Sequence, residues 1–263
     1  MFNNLKFSTM KKLAFILILL FSIMRTAEAQ RVSYQEPYKP KMNLIKLNLT
    51  SLPINNYAVQ YERVLSKRIS IGISYRTMPV GNIPFKNQII NMTDGDSEAE
   101  KILNNFTISN YAITPEIRFY LGKKGYGRGF YLAPFFRNAG YEGDNFQVDF
   151  NDENGISQTI TLSGDIKSNT FGLLLGAQWS LGKFIVLDWW ILGPHIGTGS
   201  GNLVGLSTRP LSASEQQDIK QTLEDFEFPL VDKSVTVNAN GATMTLDGLF
   251  GGLRAGISFG IKF

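Results

Sequence analysis

His195 is the only histidine in the chain, and there is no cysteine. Acid–base chemistry near neutral pH would therefore turn on one imidazole. A nucleophile must lie within hydrogen-bond reach of such a base, about 3 Å. No serine stands two residues away on the same strand face: position 197 is Gly, and the nearest hydroxyls are Thr198 and Ser200. Ser200 lies in a Gly-rich stretch and would have to fold back to meet His195. With Asp188 earlier on the strand, that is the one constellation suited to an outer-membrane lipid-modifying enzyme, such as one acting on lipid A acyl chains. A lone histidine otherwise reads as a rim residue packed beside Trp190 and Pro194. It excludes a His-cluster metal centre, and the lack of cysteine excludes thiolate sites, disulfides and a lipidated N-terminal cysteine.

The other chemistry-bearing residues are charges. Three insertions, 79–105, 140–168 and 199–248, hold 17 of the 21 acidic residues beyond position 29 and 6 of the 22 basic ones. The acidic residues outside them are Glu36, Glu62, Glu116 and Asp188. The last three share a strand parity with Lys46, Arg76, Arg118 and Arg254. Buried carboxylates stay ionised only when paired and hydrogen-bonded, so this set predicts an interior ion-pair network; a proton or ion path is the alternative. Asp94–Glu98 and Asp149–Gly155 are oxygen-rich but lack the Gly and Glu spacing of an EF-hand, which leaves room only for weak surface Ca²⁺ binding. Gly125-x-Gly127-x-Gly129 lacks the helix and Lys-Ser/Thr of a phosphate loop and reads as a tight turn. No metal and no cofactor is expected.

Positioning seven charges on one interior face requires strands, and the sequence alternates at period two in eight places. Ile45, Leu47 and Leu49 alternate with Lys46, Asn48 and Thr50; Tyr57, Val59 and Tyr61 with Ala58, Gln60 and Glu62. Ile69, Ile71, Ile73 and Tyr75 oppose Ser70, Gly72, Ser74 and Arg76. Further strands run over 110–121, from Phe130, over 171–181 and 185–191, and from Leu253 to Phe263. Apolar-out, polar-in segments of about ten residues are the signature of an outer-membrane barrel. After the first hairpin the connections alternate short and long, with basic residues at the short turns and acidic ones in the long loops. The expected fold is all-β: an eight-stranded antiparallel up-and-down transmembrane barrel, residues 43–263, with long outer loops. Its interior is narrow enough for side chains to fill, so the lumen is expected to be plugged. Tyr57, Tyr61, Tyr75, Tyr111, Trp179 and Trp189 would form the interfacial girdles.

Both ends of the sequence agree with export. Lys11 and Lys12 precede the apolar run Leu13–Met24, and Ala27 and Ala29 form a small-x-small cleavage site. Residues 1–29 thus read as a signal peptide, followed by a short periplasmic segment, 30–42. Removing residues 1–29 lowers the net charge from +4 to +1, so nucleic acid is not implied. Phe259 and Phe263 would present the last strand to the barrel-insertion machinery. Outer-membrane lipid is the other expected partner, and the barrel is expected to be a monomer. Residues 213–226 predict a helix capped by Ser214 and Gln217, with an apolar stripe of Ile219, Leu223 and Phe226. That stripe either lids the barrel or docks on a protein partner at the outer loops.

The stretches YERVLSKRISIGISY, TPEIRFYLG, GFYLAPFFR and LDWWILGPHIG resemble small uncharacterised outer-membrane barrels of Bacteroidota, a domain-of-unknown-function family. The resemblance spans about 43–263 and breaks in the long loops. It implies an eight-stranded barrel in the outer membrane and supplies no catalytic residues. A non-enzymatic structural or surface-interaction role is the expectation.

Overall fold

The alternating segments pair into an antiparallel sheet that closes on itself. The structure, a computed structural model, describes residues 40–92, 97–152, 155–226 and 230–263. Ala27, Ala29 and nearly all of the expected segment 30–42 lie outside the described residues. The strands are β1 (Asn43–Asn48), β2 (Tyr57–Val64), β3 (Ile69–Asn82), β4 (Thr107–Tyr120), β5 (Gly129–Asn151), β6 (Ser157–Leu181), β7 (Ile185–Leu206), β8 (Val231–Asn238) and β9 (Gly241–Lys262). Their order is β1 to β7, then β9 and β8, and β1 pairs back onto β9. Phe263 N–H donates to Asn43 O at 2.9 Å, and Asn43 N–H to Phe263 O at 3.0 Å, which fastens the seam.

The strand count therefore differs from the eight expected. β1 to β7 with β9 form the ring, and β8 is a ninth strand attached only to the upper half of β9, Val231 opposite Gly248 through Asn238 opposite Gly241. Its alternation of Val231, Lys233, Val235 and Val237 is short and carries a lysine, which hides it inside a loop-like composition.

The middle insertion is also not a loop. β5 and β6 run 23 and 25 residues and pair out to Asn151 opposite Ser157. They meet at a turn where Asp152 Oδ1 accepts from Ile156 N–H at 2.9 Å and Gly155 has φ +73°. Asn154-Gly155, a dipeptide that signals a hairpin turn carrying the strands beyond the bilayer, falls there, Asn154 itself lying outside the described residues.

The polarity of the strands reverses along their length. Near the short turns, outward residues such as Ile71, Ile73, Leu173, Ile257 and Phe259 are exposed, while inward Lys46, Glu62, Arg118, Gln178 and Ser258 are buried. Farther up, the inward residues are apolar: Val148, Phe150, Ile160, Leu162, Ala242, Met244 and Leu246 are buried. Outward neighbours there are Asp149, Thr159, Thr161, Thr245 and Asp247.

Among the described residues three α-helices pack at this upper end: α1 (Lys86–Ile90), α2 (Ser97–Asn105) and α3 (Ala213–Asp225). The first two were not expected. Their sequence is short and polar, and α2 is held by tertiary contacts: Lys101 Nζ donates to Asp149 at 2.7 and 2.8 Å, and Asn105 to Gln147 at 3.1 Å. α3 appears where the periodicity placed it, with its cap moved two residues. Ser212 is the N-cap and Glu215 closes the capping box. Glu215 prevails over Gln217 because a carboxylate also takes a two-pronged pair with Arg209.

Candidate functional site

Two layers of polar residues fill the ring. The lower one is an ion-pair lattice to which all eight ring strands contribute. Lys46 on β1 uses all three ammonium protons, on Glu62 (2.6 Å), Asp188 (2.7 Å) and Gln178 (2.8 Å). Arg118 on β4 donates to Glu116 at 2.6 Å, Asp188 at 2.8 Å, Gln60 at 3.0 Å, Gln178 at 3.1 Å and Glu62 at 3.2 Å. Glu62 also accepts from Ser70 of β3 and from Tyr120. Asp188 of β7 accepts from Tyr131 of β5 at 2.8 Å and from Trp190 at 3.2 Å. Arg254 of β9 donates twice to Glu116 at 3.2 Å.

The side chains of Lys46, Glu62, Glu116, Arg118 and Asp188 have no solvent exposure. Every carboxylate is multiply satisfied, the condition under which buried charge is tolerated. Glycine shapes the layer at one point: a Cβ on Gly176 would lie 2.3 Å from the Tyr131 hydroxyl that reaches Asp188. Arg118 also lies over the Tyr131 ring, 4.3 Å from its centroid.

Six of the seven charges expected in this network join it. Arg76 does not. It sits on β3 opposite Ala58 and Ala112, above the carboxylates, and makes no ion pair among the described residues. Its Nε is buried without a partner.

Arg76 belongs instead to an upper layer, a cavity of about 180 Å³ lined by Arg76, Arg137, Tyr141, His195, Phe250, Arg254 and the run Gly251–Leu253. Arg137 is not among the seven charges expected inside, although it continues the inward parity of Tyr131, Ala133 and Phe135; the apolar start of that strand gives no sign of it. Its guanidinium contacts Thr114 Oγ1 at 3.4 Å, and the Tyr141 hydroxyl lies against both Arg76 and Arg137. The Arg254 guanidinium stacks over Phe135 (4.5 Å) and Trp190 (4.7 Å).

His195 lines this cavity with its ring edge-on to Phe135, centroids 5.9 Å apart, and its buried Nδ1 has no partner. The hydrolytic constellation is not assembled. β7 runs on as regular strand through Ser200, which pairs with Lys167 and Asp247. Five residues of strand separate Ser200 from His195, roughly 16 Å, and the two face opposite sides of the sheet. The Gly-rich stretch does not fold back because Gly197, Gly199 and Gly201 are packed tightly: a Cβ there would lie 2.0 Å from Asn169 O, 3.0 Å from Phe250 and 2.2 Å from Asp165 O. The Asp188 carboxylate is committed to the ion-pair layer.

Above the cavity, α3 packs against β5, β8 and β9. Its Ile219 and Leu223 are fully buried in a cluster with Val148, Phe150, Ile160, Leu162, Leu211 and Ala242. Phe226 meets Phe146 edge-to-face, centroids 5.5 Å apart. Lys233 of β8 donates to the carbonyls of Leu223, Glu224 and Phe226 at the helix C-terminus, where a cation is favoured. The apolar stripe is thus covered within the chain, as a lid requires. Among the described residues no cluster of His, Asp or Glu is arranged to hold a metal ion. Phe259 and Phe263 lie on the outer face, 40% and 51% exposed. No protein-family model matches the sequence, and no curated protein matches it significantly.

Proposed function

We propose that the protein is an integral outer-membrane β-barrel with a plugged lumen and a non-enzymatic structural or surface-interaction role. The reversal of polarity along β5, β6 and β9 carries this reading. A belt of exposed Ile, Leu, Val and aromatic residues surrounds a charged interior, the inverse of a water-soluble sheet, and suits lipid outside. Beyond the reversal, apolar residues turn inward and polar ones outward, as suits aqueous surroundings. Tyr57, Tyr61, Tyr75, Tyr111 and Trp189 stand exposed on the outer face, in keeping with interfacial girdles; Trp179 is half-buried.

In this arrangement the short turns and both ends of the barrel face the periplasm, residues 1–29 are removed during export, and the lidded end faces outward. Phe259 and Phe263 serve as the assembly signal. The protein should fractionate with the outer membrane and show heat-dependent gel mobility; soluble behaviour would sink the reading. Deleting Phe263 should lower the yield of heat-modifiable protein, since its backbone closes the seam with Asn43. Lipid A from cells with and without the gene should have the same mass. An added or missing acyl chain would reinstate the enzymatic alternative centred on His195.

A further inference from the structure

Leaving aside Lys262 near the turn end, the ring interior holds, among the described residues, five cations, Lys46, Arg76, Arg118, Arg137 and Arg254, against three carboxylates, Glu62, Glu116 and Asp188. The carboxylates are engaged by Lys46, Arg118 and Arg254. The surplus of two positive charges therefore falls on Arg76 and Arg137, in the upper cavity. Arg137 is buried, its guanidinium meets only neutral hydroxyls, Thr114 Oγ1 at 3.4 Å and that of Tyr141, and it lies within the field of Arg76 and Arg254. Arg76 and His195 both line the chamber, and Arg76 Nε and His195 Nδ1 are buried without a partner, the latter a nitrogen that donates in one of the imidazole's neutral tautomers and in its cation. Three guanidiniums in one chamber form the donor arrangement that suits oxyanions. One water needs roughly 10–15 Å³ on this measure, so about 180 Å³ holds far more than a single water.

Among the described residues the chamber also has a side opening. β1 covers β9 only from Ser258 to Lys262, and β8 covers it only from Gly241 to Gly248. Between them Leu249 N–H bonds to Leu230 O and Ile257 O accepts from Leu49 N–H. By antiparallel alternation the N–H and C=O groups of Gly251, Leu253 and Ala255 point into the gap. None has a strand partner there among the described residues. Gly252 faces inward by parity, yet it is exposed. Gly251, Gly252 and Leu253 line the cavity in succession, so the space reaches the edge of the sheet. The gap exists because β1 and β2 are only 6 and 8 residues long, below the roughly 9–11 that a tilted strand needs to cross a bilayer. It thus falls at the height of the outer headgroups, flanked by exposed Leu249, Leu253 and Ile196.

We propose that Arg76, Arg137 and Arg254, with His195 and Tyr141, form a binding site for a phosphate dianion, reached sideways through the notch between β1 and β8. The shared chemistry admits two sources, the phosphomonoester headgroup of a lipid and free phosphate. Only the sideways route rests on the membrane reading; anion binding by the chamber does not.

The test uses the folded chain in micelles of a zwitterionic detergent, titrated calorimetrically with inorganic phosphate, short-chain phosphatidic acid and short-chain phosphatidylcholine. Saturable binding of phosphatidic acid is expected, with at least tenfold weaker binding in Arg76→Gln and in Arg137→Gln and a smaller loss in Arg76→Lys, which keeps the charge but not the guanidinium fork. Tighter binding of phosphatidic acid than of inorganic phosphate assigns the lipid source. Equal binding assigns the soluble anion, and either result upholds the chamber. Failure of both to bind, binding undiminished in the Gln variants, or equal binding of phosphatidylcholine overturns the proposal. Heat-dependent mobility measured on the same samples separates a misfolded variant, or failure of the barrel reading, from loss of the site.

Discussion

The balance of charge inside the ring is set residue by residue. Asp188 receives Lys46 and Arg118 on one oxygen and Tyr131 on the other, so Asp188→Ala leaves two buried cations short of a partner. A loss of about 3–5 kcal/mol is expected, read from urea unfolding in micelles. Arg254→Ala should cost less, because Glu116 keeps Arg118 and Gln60. At the lid, hydrogen bonds from Arg209 and then from the Ser212 N–H hold the Glu215 carboxyl down at about 2, against about 4.3 in an unfolded chain. A depressed carboxylate pKa contributes stability above the unfolded value and loses it as pH falls through the folded one. Amide exchange over the first turn of α3 should therefore stay slow at pH 4.5 and accelerate as the pH approaches 2. Equal exchange rates at both pH values, after correction for intrinsic exchange, would show that this cap does not hold the helix. The inward parity that gathered Lys46, Glu62, Glu116, Arg118, Asp188 and Arg254 was legible because a period-two pattern assigns faces without knowledge of the fold. What it could not show was height along the ring, and height is what separates Arg76 from the carboxylates.

At the scale of elements, legibility followed the solvent. Strands against the apolar belt announce themselves by Ile, Leu and Tyr on alternate positions. The upper halves of β5, β6 and β9 bury Val148, Ile160 and Met244 on the opposite face and are rich in Asp, Thr and Gly, so they read as connections. Register shifts between Gly143 and Phe146 and between Trp190 and Gly193 blur the pattern further, since one extra residue moves every later side chain to the other face. The helix α3 was visible through its stripe, while α1 and α2 depend on contacts that a sequence does not display. Asp149 illustrates this: burial alone would raise its pKa, but hydrogen bonds from Lys101 and Thr159 lower it, tying α2 to β5. Leu223→Ala should loosen the lid by about 2–5 kcal/mol, the usual cost of deleting a buried leucine. Limited proteolysis should then cut within 207–230 markedly faster than in the parent, whereas an unchanged cleavage rate would mean that the stripe is not what anchors α3.

For the whole molecule, the buried and mutually paired charges of the lower layer predict a closed pore. Planar-bilayer recordings should show no steady conductance, and a constant open level would contradict the packing around Lys46 and Arg118. The same layer has a temporal side. Lys46 meets Asp188 across 142 residues of sequence, and Arg254 meets Glu116 across 138. The contacts that neutralise the interior are thus among the most distant in the chain, and because every ring strand supplies a member, an incomplete ring leaves charges without partners. High contact order slows folding, and here it also makes closure all-or-none. On the proposed membrane reading, a half-built ring has no favourable resting point in lipid. Its charged residues must stay in contact with water, or with whatever chaperones them, until the first strand meets the last.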